Sequence, residues 1–233
     1  MDRALIDTLA AAKADHQPVV VVTDLADGGK SLIENGVGIG EIAIDEEILA
    51  ASAEALRNDK SRTLDAADGR RLFLHVFNPP LRLFVIGAVH IAQSLAPISA
   101  LMGYDVTVID PRTSFATADR FPGVKLTHEW PDEALTDLKP DARSAIVTLT
   151  HDPKLDDPAL HSALNSECFY IGCLGSQRTH ALRVKRLQQA EFSNVQIDRI
   201  HGPVGLNIGA KSPPEIAISI MAEITSRLRR SAG

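Results

Sequence analysis

Apolar runs and helical spacing alternate most clearly between residues 83 and 110. Four apolar residues at 83–86 lead into Gly87, and apolar positions at helical spacing follow as far as Gly103. A second apolar run then ends in Asp110. This order predicts a strand, a glycine turn, a helix and a second strand, which together form the opening unit of a doubly wound nucleotide-binding fold.

The same alternation continues through the rest of the chain to residue 230. Apolar runs predict strands at 106–109, 125–127, 144–149 and 169–171, and helical spacing predicts helices at 131–138, 158–164, 179–190 and 213–230. Strands that alternate with helices form a parallel sheet, which binds its ligand at the carboxyl ends of its strands. We therefore predict an α/β fold, a Rossmann-like doubly wound parallel sheet, for residues 81–233.

The pattern ahead of residue 80 is different and weaker. It predicts strands at 19–23 and 72–77 and a helix at 45–57, which Asp45 can cap. The prolines of 78–80 then stop the second strand and form a stiff connector. Residues 1–80 are accordingly predicted to be a small N-terminal α+β subdomain.

The glycine turn at Gly87 is the first candidate binding site. Helix N-termini of this kind present unpaired N–H groups that suit a phosphate. Asp110 lies 23 residues after Gly87, close to the roughly 20 at which an acid meets a ribose hydroxyl. Val89 stands where the dinucleotide fingerprint has its second glycine. We expect this β-branched side chain to crowd a pyrophosphate, so the indication of ordinary NAD binding is weak.

Further polar and glycine residues collect where the predicted strands end. The glycine-rich closing loop holds backbone amides in a geometry that suits an anion, and arginines supply charge. The candidate ligand-binding residues are Gly87, Ala88, His90, Asp110, Arg112, Thr150, His151, Gly172, Cys173, Gly175, Ser176, Arg178, His201, Gly202, Gly205, Asn207 and Gly209. A helix N-terminus beside Cys173 would lower the pKa of its thiol, although both cysteines can also be simple buried hydrophobes. No nucleophile elbow or metal-ligand spacing is present, so we predict neither catalytic residues nor a metal site.

Composition and charge narrow the class of protein. The 233 residues are 45% hydrophobic and 23% charged, which is typical of a globular protein. A net charge of −6 argues against a nucleic-acid partner. No apolar stretch approaches the roughly 20 residues that a membrane span requires. The acidic, amphipathic start is unlike a secretory signal, and we expect a cytoplasmic protein.

Five ordered blocks of sequence resemble the XdhC/CoxI family, the accessory proteins of xanthine dehydrogenase and related molybdenum hydroxylases. They are FVIGAVHIAQSLA at 84–96, GYDVTVIDPRTSFATADRFP at 103–122, VTLTHDPKLDDPAL at 147–160, YIGCLGSQRTH at 170–180 and HGPVGLNIGAKSPPEIAISIMAEI at 201–224. The resemblance implies a non-catalytic chaperone with a Rossmann-like C-terminal domain. Such a chaperone binds the molybdenum cofactor, as molybdopterin or its cytosine dinucleotide, and delivers it to an apo molybdenum hydroxylase. It also implies sulfuration of the cofactor by a cysteine desulfurase. Under this chaperone hypothesis, Cys173 could contact the cofactor's sulfur or molybdenum.

Two departures from the family keep alternatives open. The family's first turn usually has a glycine where this chain has Val89, and its N-terminal cysteine motifs, G-C-x-E and C-G-G, are missing from residues 1–80. One alternative is an NAD(P)-dependent oxidoreductase, which the fold alone suggests. The other is a cofactor-free assembly subunit that uses the apolar face of Ile216, Ile220 and Ile224. We also expect a homodimer, as is common for such folds.

Overall fold

The computed structural model describes residues 3–230 and divides the chain into two compact units. The first unit ends at Pro79 and the second begins at Pro80. Within the described range, none of the helices combines the length and the apolar character needed to cross a membrane.

The N-terminal unit is a five-stranded antiparallel sheet with two helices. Its elements are α1 (Arg3–Ala14), β1 (Val19–Asp24), β2 (Lys30–Glu34), β3 (Val37–Gly40), α2 (Glu46–Arg57), β4 (Arg62–Asp65) and β5 (Arg71–Phe77). The strand order is β3-β2-β1-β5-β4. Helices and antiparallel strands thus occur together in this short stretch of chain.

Strand β1 is the centre of this unit because both of its faces are buried. Val20 and Val22 lie in one apolar cluster with Ile48 of α2. Val19 and Val21 point the other way and join a second cluster with Leu5 of α1. A run of four valines thus serves two faces at once, which follows from the two-residue period of a strand. Asp45 caps α2 by accepting a hydrogen bond from the N–H of Ile48, as the sequence predicted.

The C-terminal unit is a six-stranded parallel sheet covered by helices. Its elements are β6 (Arg82–Ile86), α3 (His90–Leu101), β7 (Asp105–Ile109), β8 (Lys125–Thr127), α4 (Pro131–Leu138), β9 (Ser144–Thr148), α5 (Pro153–Leu164), β10 (Tyr170–Cys173), α6 (Gln177–Gln189), α7 (Asn194–Ile197), β11 (Ile200–His201) and α8 (Pro213–Arg230). The strand order is β11-β10-β9-β6-β7-β8. This is the usual order of a doubly wound dinucleotide fold, and the predicted fold class is confirmed.

Alternate residues of β6 supply the two cores of this unit. Leu83 and Val85 face α3 and α8 in one cluster, whereas Phe84 and Ile86 face α4 and α5 in the other. The apolar face of α8 is part of the first cluster, since Ile220 and Ile224 are fully buried. That face is therefore core, and it is not the exposed docking surface that a cofactor-free assembly subunit would use.

Several element boundaries differ from the sequence expectation. Strands β2, β3, β4 and β11 and helices α1 and α7 were not predicted, and α5 begins at Pro153 rather than Pro158. Strand β10 runs on through Gly172 to Cys173, which carries both residues out of the predicted glycine turn. The turn itself is confined to the residues just before Ser176, the N-cap of α6.

Candidate functional site

The topological switch point lies between β6 and β9. The helix after β6 covers one face of the sheet and the helix after β9 covers the other. The two connections therefore leave the sheet in opposite directions and open a crevice above these strand ends. Ligands of doubly wound folds bind in the crevice at this point. We call the carboxyl ends of β6, β7, β9 and β10, with the loops that follow them, the switch-point crevice.

The Gly87 turn forms the floor of the crevice. Gly87 has φ +105°, and a Cβ atom there would lie 2.5 Å from Cγ2 of Thr150. Only glycine meets both conditions. Helix α3 then begins with Val89 as its N-cap residue, and no side chain within residues 3–230 caps its first N–H groups. Its N-terminus thus keeps backbone donors and partial positive charge for an anion.

Asp110 fixes the Gly87 turn to the end of β7. Its fully buried carboxylate accepts hydrogen bonds from the N–H of Ala88 at 2.8 Å and from Arg112 Nη2 at 2.7 Å and Nε at 2.8 Å. Burial alone would raise the pKa of Asp110. The hydrogen bonds from Arg112 and Ala88 outweigh that effect and hold the pKa below its usual value. The acid is therefore ionised and occupied by protein donors.

A second carboxylate–guanidinium pair lies on the other side of the turn. Thr150 donates a hydrogen bond of 2.7 Å to Asp156, and Asp156 lies 3.9 Å from Arg183 with both side chains 2% exposed. Arg183 donates to the carbonyl of Leu174 at 3.0 Å. Its Nε and Nη1 find no hydrogen-bond partner among the described residues. The segments that follow β9 and β10 are thus linked through Thr150, Asp156 and Arg183, and burial raises the pKa of Asp156.

Cys173 corrects one expectation from the sequence. It is fully buried at the end of β10, three residues ahead of the N-cap of α6. Burial raises the pKa of its thiol to about 11, although Arg183 opposes the rise. The proposed lowering by a helix N-terminus is therefore wrong, because the thiol lies in the core and loses hydration when it ionises.

The closing loop is attached to the end of β10 and to α8. The N–H of Val204 donates to the carbonyl of Cys173 at 3.0 Å, and Gly202 lies so close to the His180 ring that a Cβ atom would collide with it. His201 stacks on Tyr170, with ring centroids 4.8 Å apart. This loop therefore borders the crevice at 202–204, while His201 faces the α8 side.

Residues 83–224 of the chain match the family described as the XdhC Rossmann domain. The chain belongs to the XdhC family. This confirms the resemblance seen in the sequence blocks.

Three curated relatives extend this family match. The XdhC-family chain is 30% identical over 204 residues to YqeB, an uncharacterized protein of Escherichia coli K12, covering 80% of this chain and 37% of that protein. It is 31% identical over 150 residues to the molybdenum cofactor insertion chaperone PaoD of the same organism, covering 64% and 41%. It is 33% identical over 162 residues to a probable xanthine dehydrogenase subunit from Bacillus subtilis 168, covering 69% and 47%. The chain spans less than half the length of each relative.

One solved structure resembles nearly the full length of the chain. It is the crystal structure of a xanthine dehydrogenase from Bacillus halodurans, which matches with a TM-score of 0.73 at 26% identity. The match covers 98% of this chain and 66% of that one.

The predicted site residues of the XdhC-family chain fall into three groups. The exposed residues are His90, His151, Ser176, Arg178, Asn207 and Gly209. The partly exposed residues are Arg112, Thr150, Gly175, His201, Gly202 and Gly205. The buried residues are Gly87, Ala88, Asp110, Gly172 and Cys173. Gly172 is explained by packing, because a Cβ atom there would lie 2.5 Å from Val204 and 2.8 Å from Tyr170. Among the described residues, no hydrogen bond joins Asn207 or Gly209 to the Gly87 turn.

Sequence reasoning missed Asp156 and Arg183 of the XdhC-family chain. Asp156 belongs to an acidic helix start, and Arg183 to a helix rich in basic residues. Both patterns suggested that the side chains are exposed to solvent. The one available indication was spacing: Arg183 lies four residues before Leu187, and these two are the buried residues of α6. No group of three or more potential metal ligands is found within residues 3–230.

Proposed function

We propose that this chain is an accessory protein that binds the molybdenum cofactor. It would deliver the cofactor to an apo molybdenum hydroxylase of the xanthine dehydrogenase or CO dehydrogenase type. Membership of the XdhC family supports this role, as does the likeness to a relative named a molybdenum cofactor insertion chaperone. A cysteine desulfurase and a second copy of the chain are proposed as further partners.

The Gly87 turn is the observation that carries the proposal. The cofactor would bring molybdenum, a pterin and a phosphate or diphosphate group, and the turn offers an anion an uncapped helix N-terminus. Ala88 and His90 would lie nearest the phosphate, with Thr150 beneath. Gly175, Ser176 and the loop around Gly202 would border the opposite side. Cys173 does not fit a contact with the metal end, because its thiol is sealed in the core.

An NAD(P)-dependent activity has less support from the same crevice. The acid expected to bind a ribose hydroxyl is Asp110, and its carboxylate already accepts hydrogen bonds from Ala88 and Arg112. Val89 is half-buried and packs against the apolar cluster beneath α3. Its expected crowding of a pyrophosphate stays a prediction.

Equilibrium binding of freshly released molybdenum cofactor tests the proposal, with NAD(H) measured in parallel. After gel filtration, retained cofactor is quantified from the fluorescence of the oxidised pterin and from molybdenum content. We expect one pterin per chain and no retained NAD(H). Transfer to an apo-hydroxylase would then test delivery.

Two results would count against this role. Tight NAD(H) binding without pterin would favour an oxidoreductase. Retention of neither ligand would favour a protein that acts through its partners alone.

A further inference from the structure

Asp110, the acid that follows β7, already has its carboxylate oxygens filled by hydrogen bonds from protein groups. A carboxylate offers about four lone-pair positions. Asp110 accepts four hydrogen bonds, one from the N–H of Ala88 and three from the backbone N–H, Nε and Nη2 of Arg112. An acid at this position of a dinucleotide-binding fold ordinarily binds a ribose hydroxyl. In this chain Arg112 takes the hydrogen-bonding positions of the carboxylate that a ribose hydroxyl would use.

Arg112 is held firmly but keeps one edge open. Its side chain is 38% exposed, and Nη1 makes no hydrogen bond within residues 3–230. The guanidinium also lies 4.5 Å from the ring centroid of Phe115, itself an exposed aromatic residue. A bidentate pair on one side and a stacked ring on the other leave little rotamer freedom to lose on binding.

A second guanidinium shares the Phe115 ring. Arg120 lies 5.8 Å from the ring centroid and donates hydrogen bonds to the carbonyl of Phe115 at 2.5 Å and to Gln93 at 3.4 Å. Two fixed cations and an exposed aromatic face therefore stand together beyond the end of β7.

Two of the acids that interact electrostatically with Arg112 have a guanidinium partner. Asp110 is paired with Arg112 and Asp156 with Arg183. The exposed Asp152 also interacts electrostatically with Arg112 and has no guanidinium partner within the described range. The α3 N-terminus adds further positive potential. The positive charges near Arg112 favour binding of an anion, and the negative charge of Asp152 opposes it.

We propose that Arg112 binds a phosphate or diphosphate group of the ligand and that Asp110 is its positioning residue. A planar guanidinium fork matches the oxygens of a phosphate. The crevice therefore selects its ligand by phosphate charge at the position where related folds select by ribose hydroxyls. This inference rests on the proposed function for the place where the ligand lies, and leaves the rest of the ligand open.

Isothermal titration calorimetry of the full chain with pyrophosphate and with cytidine 5′-diphosphate tests the inference, with cytidine as the phosphate-free probe. We expect Arg112→Met to weaken binding of both phosphate probes by about tenfold or more, as the loss of a charged hydrogen bond implies. Arg112→Lys should recover part of the affinity, because it restores charge without the fork.

Arg186→Met is the matched control. Arg186 is 37% exposed and forms the same kind of bidentate pair, through Nε and Nη2, with Asp157. It lies in the last turn of α6, and its guanidinium is bound to Asp157 of α5 rather than to the acid that follows β7. It should bind both probes as the wild type does.

A variant that should strengthen pyrophosphate binding distinguishes an effect on the site from a general loss of structure. Asp152→Asn removes the opposing charge, and asparagine can still accept the capping hydrogen bond from the N–H of Lys154. This variant should bind pyrophosphate a few-fold more tightly.

The positioning role of Asp110 is tested by a double-mutant cycle. Asp110→Asn should weaken pyrophosphate binding in the wild-type background and change it little in Arg112→Met. A purely structural role would produce the same loss in both backgrounds.

The inference is overturned if neither phosphate probe binds the wild type at millimolar concentration, or if Arg112→Met binds as the wild type does. It is equally overturned if Arg112→Met and Arg186→Met lose the same affinity. None of the probes contains a pterin or molybdenum, so these outcomes do not depend on whether the chain binds the molybdenum cofactor.

Discussion

Glu223 is the residue that ties the closing loop to α8. Its carboxylate accepts hydrogen bonds from Tyr170 Oη at 2.5 Å and from the N–H of Gly205 at 2.8 Å, and it lies 3.4 Å from Nδ1 of His201. Burial alone would raise the pKa of Glu223, but these donors outweigh burial and lower the pKa to about 2. The ionised form is thus part of the folded structure.

Glu223→Gln should destabilise the chain at neutral pH by roughly 2 kcal/mol, since charge-assisted hydrogen bonds are lost. Because the folded-state pKa of Glu223 lies below its ordinary value of 4.5, the stabilisation is present above pH 4.5 and is lost as pH falls towards 2. Urea unfolding of both proteins across this range measures the effect. The difference in unfolding free energy should narrow as the pH falls.

Glu133→Gln provides the control for this series, because Glu133 is an exposed acid in the first turn of α4. This substitution should change the free energy of unfolding only slightly. A wild-type advantage over Glu223→Gln that grows as the pH is lowered from 4.5 to 2 would contradict the assignment of the charge.

At the scale of elements, the closing loop is docked on α8 by backbone as well as side-chain contacts. The N–H of Leu206 donates to the carbonyl of Ser219 at 3.2 Å, and Oγ of Ser219 returns a hydrogen bond of 2.6 Å to the carbonyl of Leu206. This exchange brings the loop so close to the helix that Gly205 has no room for a side chain.

Two glycines of that loop offer a matched comparison. Gly205 and Gly209 both have positive φ, +93° and +76°. A Cβ atom at Gly205 would collide with Ser219, whereas no atom of the described part of the chain lies within 4 Å of one at Gly209. Gly209→Ala should cost about 1 kcal/mol of stability from backbone strain alone. Gly205→Ala should cost roughly 2–4 kcal/mol because overpacking adds to the strain.

Thermal unfolding followed by circular dichroism measures both variants. Equal losses would mean that the loop moves away from α8 without cost. A larger loss for Gly209→Ala would contradict the contacts described for Gly205.

The elements that sequence reasoning found are those whose burial follows a simple period. Strand β6 and helix α3 are recognisable because their buried residues fit the strand or helix spacing. Strand β4 is not, because of its four residues only Leu64 is buried and its position depends on tertiary pairing with β5. The candidate site divides in the same way. That the site residues lie at strand ends follows from the topology of the sheet. The hydrogen bond of Asp110 to Ala88 and the burial of Cys173 depend on neighbours distant in sequence.

At the scale of the whole molecule, each unit carries its own hydrophobic core. The clusters around Val20 and Val19 contain only residues of the N-terminal unit. Those around Val85 and Phe84 contain only residues after Pro80. A unit of about 150 residues is large enough to bury a core that sustains folding alone.

A fragment beginning at Pro80 should therefore fold without residues 1–79. We expect a cooperative thermal transition and the circular dichroism of a helix-rich α/β protein. The full chain serves as the reference. A fragment that unfolds without cooperativity would mean that the Rossmann-like unit depends on the N-terminal unit for its stability.

The Gly87 turn is fixed from two sides before a ligand arrives. Ala88 is bound to Asp110, and Gly87 rests against Thr150, which is itself bound to Asp156. A receptor already in its binding shape loses little conformational entropy when it is filled. A site built in this way regains the same shape each time its ligand leaves. Repeated binding and release of a ligand then need no refolding step in between.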